Sequence, residues 1–219
     1  MIIEFFGLSN TGKSVLKKNL EKKGYPTYNI EKSNLFAKFF FFFKHFLLHP
    51  IKTKYLFYKL NTNNIKLRLG VKKRFQIFKM RNSYLAFVLA KYEQMKNKKQ
   101  IFTDEFSYQS LFMILQKKSN EKEIKKILNA LPKSDFLFLF NGNKELRYRA
   151  YAKPHPKRKG TLLPGSGIDT KYAESWMNLM EYNIEIIKKI IEKDFISDKQ
   201  TFGKLKLGYP KVYKRKKDN

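Results

Sequence analysis

Apolar residues recur along this chain in two spacings. Apolar runs at Ile2 to Phe6 and Phe136 to Phe140 are short, as buried parallel strands are, and only the second is unbroken. Gln100 to Glu105 reads as another buried strand, ending in two acids, and Tyr25 to Ile30 as a further one entered through Pro26. An edge strand is expected near Phe195-Ile196 or within 205–212. Between these runs the spacing is helical. Leu16 and Leu20 lie one turn apart, and Gly24 is placed to stop their helix. Helices are predicted over 35–48, 52–60, 65–96 (with Gly70 a break), 108–118, 121–131 and 170–193. Ser119 or Asn120 would cap the fifth of these. Phe75, Phe78, Leu85, Leu89 and Tyr92 form one expected stripe, and Trp176, Leu179, Met180, Ile187, Ile190 and Ile191 another. Strands alternating with helices predict an α/β domain spanning 1–219, with a parallel sheet, right-handed crossovers and helices on both faces.

The junction of the first strand and first helix carries the sharpest motif. Gly7-Leu8-Ser9-Asn10-Thr11-Gly12-Lys13-Ser14 matches G-x-x-x-x-G-K-[ST], a phosphate loop, in the strand–loop–helix context it requires. By chance the pattern arises in roughly one chain of such composition in a hundred. Glycines let the backbone turn tightly and bring N–H groups close to phosphate oxygens. The new helix aims its positive end at the same anion. Lys13 would reach the β- and γ-phosphates, and Ser14 would offer its hydroxyl to Mg²⁺. Gly7, Asn10, Thr11, Gly12, Lys13, Ser14 and Val15 are therefore the candidate contacts to ATP.

Composition adds a strong charge. The chain has 219 residues, 42% hydrophobic, no cysteine and a net charge of +29. From Lys32 to Tyr92 there is no acid but fourteen Lys or Arg. Two readings compete: a basic surface for nucleotides, nucleic acid or anionic lipid, and the Lys, Asn, Ile and Phe bias of an AT-rich genome. Absence of cysteine excludes disulfide and thiolate chemistry. The chain opens on the predicted strand, leaving no room for a signal peptide, so a cytoplasmic location is expected.

Other candidates follow in chain order. Glu31, after the second predicted strand, would stand at the carboxyl edge of the sheet; as plainly, it is a surface glutamate. Residues 35–48, LFAKFFFFFKHFLL, are too short and too polar to span a bilayer. They read as a buried or half-buried helix, or as a peripheral membrane or partner contact. His45 and His49 are spaced i, i+4, but no third ligand type is near them in sequence, so no metal site is assigned there. Arg74 and Arg81, seven apart on a helix, are surface charge or a pair that grips an anionic acceptor. Asp104 and Glu105 end a strand beside the phosphate loop. A carboxylate there holds Mg²⁺ or accepts a proton from the nucleophile, although neighbouring strand residues face opposite sides. Residues 144–160 carry seven Lys or Arg against one Glu and run into a Pro/Gly-rich stretch. This is a basic surface loop or a lid, about 144–168, that closes over a transferring phosphoryl group. The basic tail, about 204–219, ends in Lys214-Arg215-Lys216-Lys217 and is expected to fray.

Three segments, GLSNTGKS near residue 7, TDEFSYQS near 103 and SDFLFLFNGNKELRYRAYAK from 134, occur in an order that resembles the thymidylate kinase-like branch of the phosphate-loop nucleoside and nucleotide kinases. The resemblance implies a three-layer P-loop NTPase fold and an ATP- and Mg²⁺-dependent kinase. It implies that Asp104 matches the Asp of the family's Asp-Arg pair, and that Arg147 or Arg149, with Lys153, match the lid cations. Arg74 and Arg81 lie where the family has arginines for the acceptor. Glu105 stands where thymidylate kinases carry arginine, and Asn29-Ile30-Glu31-Lys32 replaces their Glu-Pro-Gly-Gly segment. The Asp-Glu pair is similar to kinase-like proteins of bacterial surface-polysaccharide clusters. The expected acceptor is thus a small molecule, a nucleotide, nucleoside or sugar-like compound, and a basic acceptor site would suit a phosphorylated or otherwise anionic one. The alternatives are a nucleic-acid-associated NTPase or polynucleotide kinase, and a non-catalytic nucleotide-binding module. Peripheral membrane contact through 35–48 and a homodimer stay open as partners.

Overall fold

The structure, a computed structural model, describes residues 1–8, 11–28, 35–62, 71–104, 106–140, 170–198 and 211–216. These contain seven helices and one five-stranded sheet. Strand β1 (Ile2–Gly7) leads into α1 (Lys13–Lys22). Helices α2 (Leu35–Leu48), α3 (Pro50–Thr62) and α4 (Val71–Met95) precede β2 (Ile101–Asp104). Then come α5 (Ser107–Ile114), α6 (Glu121–Ala130), β3 (Phe136–Phe140), α7 (Thr170–Asp194), β4 (Phe195–Ser197) and β5 (Lys211–Arg215). This is an α/β protein.

The sheet order is β2-β1-β3-β5-β4. Strand β1 pairs parallel with β2 (Phe5 opposite Asp104) and with β3 (Phe5 opposite Phe138). A wholly parallel sheet was expected; the sheet is instead mixed, because β5 runs antiparallel to both β3 and β4. The reason lies in the basic C-terminal segment. Tyr213 is buried and Val212 packs against the α1-side core, so Lys211–Arg215 has an apolar residue for each face. Its cations lie along aromatic surface: Arg215 over Phe195 at 4.7 Å and Lys214 over Phe136 at 6.0 Å. Arg215 Nε also donates to Ser134 O at 2.9 Å. Lys214 and Arg215 are therefore paired strand residues, not part of a frayed tail.

Alternation along β1 builds two cores. Ile3 and Phe5 meet Leu20 of α1, Phe102 and Phe138 on one face. Phe6 faces the other way, with Leu137 and Leu139, into a cluster supplied by α3, α4, α5, α6 and α7. Helices thus cover both faces. Local signals decide several boundaries. Gly24, at φ +79°, ends α1: Gly24 N–H donates to Glu21 O and Tyr25 N–H to Leu20 O, both at 3.0 Å. Asn120 caps α6, its Oδ1 accepting from Glu123 N at 2.9 Å.

Two further expectations change. Of Tyr25 to Ile30, the described part forms a single parallel bridge, Thr27 to Phe102, rather than a strand. In the α4 stripe, Leu85 and Leu89 are buried but Phe75 and Phe78 face solvent. From Arg81 on, the helix also turns polar side chains inward: Arg81, Lys91 and Glu93 are buried along with Leu85, Val88 and Leu89.

Candidate functional site

The loop between β1 and α1 is shaped by two glycines with different duties. Gly7 sits at φ +149°, and a Cβ there would lie 2.6 Å from Phe140 O, so β1 and β3 approach too closely for any side chain. Gly12, the N-cap of α1, adopts a left-handed conformation, φ 90° and ψ 3°. A Cβ on Gly12 would meet nothing within 4 Å. Glycine is needed there for its backbone angles, since no described residue crowds the position.

Lys13 folds back across the loop. Its Nζ donates to Gly7 O at 2.6 Å and to Leu8 O at 2.7 Å. Thr11 Oγ1 donates to Leu8 O at 2.8 Å, which tightens the same turn. Val15 and Leu16 N–H both donate to Gly12 O at 3.1 Å, so the helical ladder begins at the glycine. Ser14 and Val15 are exposed at the start of α1, whose first turn contains no acid to compete with an anion. Asn10 lies outside the described residues.

Parallel pairing of β1 with β2 brings Asp104 alongside the loop. Its Oδ1 accepts from Lys17 Nζ at 3.0 Å, one turn beyond Lys13 and Ser14 on α1. Lys17 was not singled out from sequence, although its position three residues past Ser14 is the signal that points to it. The carbonyl of Asp104 accepts from Lys91 Nζ at 2.5 Å. Lys91 is fully buried and also lies over the Tyr28 ring at 5.0 Å. Lys17 and Lys91 thus grip the tip of β2 from two sides.

The donor set around this loop suits a nucleoside triphosphate with Mg²⁺. It combines a lysine ammonium, a helix N-terminus free of first-turn acid, open space over Gly12, and a hydroxyl and a carboxylate for the metal.

Arg81 is not brought to this site. Its Nη2 donates to Leu60 O at 2.6 Å and to Met113 O at 2.9 Å, near the C-terminal ends of α3 and α5. A cation there meets the negative ends of two helices. The acceptor-gripping role expected for it therefore does not match its placement. The Arg74 side chain, Glu31, Glu105, Arg147, Arg149 and Lys153 lie outside the described residues.

Two buried acids escaped the sequence reading. Glu4 sits within the apolar run of β1, where its carboxylate accepts from Gln109 N at 3.0 Å and from Ser134 Oγ at 2.8 Å. Burial pushes its pKa up to about 7, against those hydrogen bonds and the charge of Lys91. Glu93, 48 residues on from His45, accepts from or pairs with His45 Nδ1 at 3.0 Å and Lys96 Nζ at 2.6 Å. Burial raises the Glu93 carboxyl, but those two partners outweigh it and hold it below the usual range. Burial also lowers the pKa of His45, favouring neutral imidazole despite the carboxylate. Ligand atoms of His45, His49 and Glu93 lie within 4.8 Å of one another. The third ligand type missing from the sequence is thus supplied by α4, and the trio could hold a metal ion. As it stands, the His45–Glu93 hydrogen bond links α2 to α4.

Comparison with known proteins finds no matching family model, no matching curated protein and no matching solved structure.

Proposed function

We propose that this chain is a P-loop phosphotransferase of the three-layer class, transferring the γ-phosphoryl group of ATP to a small acceptor: a nucleotide, nucleoside or sugar-like molecule. The observation that carries the reading is the β1–loop–α1 junction. There a left-handed Gly12 opens the helix, and Lys13 Nζ lies against the carbonyls of Gly7 and Leu8. In this reading Lys13 exchanges two neutral carbonyl acceptors for phosphate oxygens, which bind an ammonium more strongly. The N-terminus of α1 faces the same phosphates. Lys17 positions Asp104, which with Ser14 holds the metal. Mg²⁺, when bound, supplies charge neutralisation on the β- and γ-phosphates. Arg147 and Arg149, assisted by Lys153, stabilise charge on the transferring group, and Glu105 stays a catalytic candidate from its place next to Asp104 in sequence. Glu31 and Arg74 remain acceptor-side candidates from the resemblance to thymidylate kinase-like enzymes.

The test is ADP release by the purified chain with ATP and Mg²⁺. It is run against pooled nucleosides, nucleoside monophosphates, sugars and sugar phosphates, with Lys13→Ala as control. Turnover in one pool that depends on Lys13 supports the reading and names the acceptor class. ATP binding without turnover in any pool favours a non-catalytic nucleotide-binding module. The net charge of +29 favours a second reading, a nucleic-acid-associated NTPase or polynucleotide kinase. It requires nucleic-acid binding that weakens steeply with salt but persists at physiological ionic strength.

A further inference from the structure

Helix α2 wears its apolar residues on the outside. Phe36, Phe39, Phe40, Phe43 and Leu47 stand at i, i+3, i+4, i+7 and i+11, so they share one stripe about 100° wide. They are 78%, 70%, 58%, 52% and 62% exposed. The opposite side of the helix seats the buried His45 against α4. Past Pro50 the apolar surface continues through Ile51, 82% exposed. A contiguous patch of this kind marks a docking surface.

We propose that this stripe docks the protein in the plane of an anionic lipid surface. Charge selects the occupant. The stripe lies inside the stretch from Lys32 to Tyr92, which has fourteen Lys or Arg and no acid. Lys44 borders the stripe, and Lys52 and Lys54 follow on α3; all three are exposed. Phenylalanines that enter the acyl boundary, with lysines reaching back to lipid phosphates, are the two components of interfacial binding. A second copy of this chain would bring two acid-free, like-charged surfaces together. Single-stranded nucleic acid would stack on Phe, but Leu47, Leu48 and Ile51 extend the patch without an aromatic face. The fourteen-residue α2 cannot span a bilayer, and among the described residues no helix is long and apolar enough to do so. The helix therefore lies on the membrane.

The experiment is co-sedimentation of the purified full chain with phosphatidylcholine vesicles, with and without phosphatidylglycerol, in the absence of ATP. Failure here is thus separate from failure of the phosphotransferase reading. Binding to the phosphatidylglycerol vesicles is expected, with partitioning reduced at least about tenfold by Phe39→Ser/Phe43→Ser. The single variant Phe36→Ser, at the most exposed of the five, should weaken binding in the same direction. Both variants should melt at the wild-type temperature. The proposal is overturned if wild type does not sediment with anionic vesicles, or if the serine variants sediment equally. Phe39- and Phe43-dependent self-association or single-stranded nucleic-acid binding, without vesicle binding, would overturn it too.

Discussion

Strand β1 buries Ile3, Phe5 and Phe6 completely, whereas α2 holds Phe36, Phe39, Phe40 and Phe43 toward solvent and seats His45 against its neighbour. The same contrast runs through the surrounding elements. Around the sheet, phenylalanine rings meet one another: Phe5 contacts Phe102, Phe138 and Phe140 at centroid distances of 5.6–6.0 Å. Around α4, Arg81, Lys91 and Glu93 are buried beside the apolar Leu85, Val88 and Leu89. A central strand has a helix layer on each face, so both sides of its alternation are covered. Helix α2 packs against α4 and, through Phe42 and Phe57, against α3, and these two neighbours leave one apolar side of it uncovered. The sheet region therefore anchors the β1–α1 loop, while α2 presents an apolar surface.

The largest test of this division is Lys13→Ala. It should lower phosphoryl transfer by about a hundredfold or more and leave thermal unfolding almost unchanged. Equal loss of folding and turnover would make Lys13 a structural tie across the loop. Next comes Glu4, the one acid buried within the sheet strand. The folded state holds its proton more tightly than the unfolded chain does. Stability contributed by protonated Glu4 is therefore lost as pH rises from its ordinary 4.5 through about 7, with no further loss above. The gap between wild type and Glu4→Gln in urea unfolding should widen by about 3 kcal/mol over that window. A constant gap would place the titration elsewhere.

In the inverted region, Arg81→Met should cost about 2–3 kcal/mol, read as a lower urea midpoint at constant m-value, because Leu60 O and Met113 O lose a buried donor. A neutral result would mean that water replaces the guanidinium. The smallest effect belongs to the outward stripe. Phe39→Ser/Phe43→Ser should change stability by less than about 0.5 kcal/mol, against about 3–5 kcal/mol for Phe5→Ala in the sheet. A large loss from the serine pair would show that the stripe is covered in the free protein.

The contrast also explains which features were legible. The β1–α1 junction with its left-handed Gly12, α1 itself and its Gly24 stop are specified within Met1 to Gly24 by local rules: apolar run, glycine angles and helix end signals. Strand β3 reads correctly because a central parallel strand is apolar at every position. Helix α2 is half-buried, one of the alternatives its sequence offered, but which side is covered did not read, since periodicity reveals an apolar side only where a polar side contrasts with it. Arg81 was legible as a cation on a helix, but its carbonyl partners lie 21 and 32 residues away. Glu93 is likewise remote from the histidines it joins.

By itself, the sequence determined the α/β alternation, the phosphate-loop motif and most helix ends, because each depends on residues within a few turns of one another. The tertiary structure decided that β5 enters the sheet antiparallel and that Lys17 meets Asp104, 87 residues away. It also decided that α2 turns Phe outward and His45 inward. Those outcomes depend on which surfaces meet once the chain is closed on itself, and nothing local distinguishes an apolar face that finds a neighbour from one that does not.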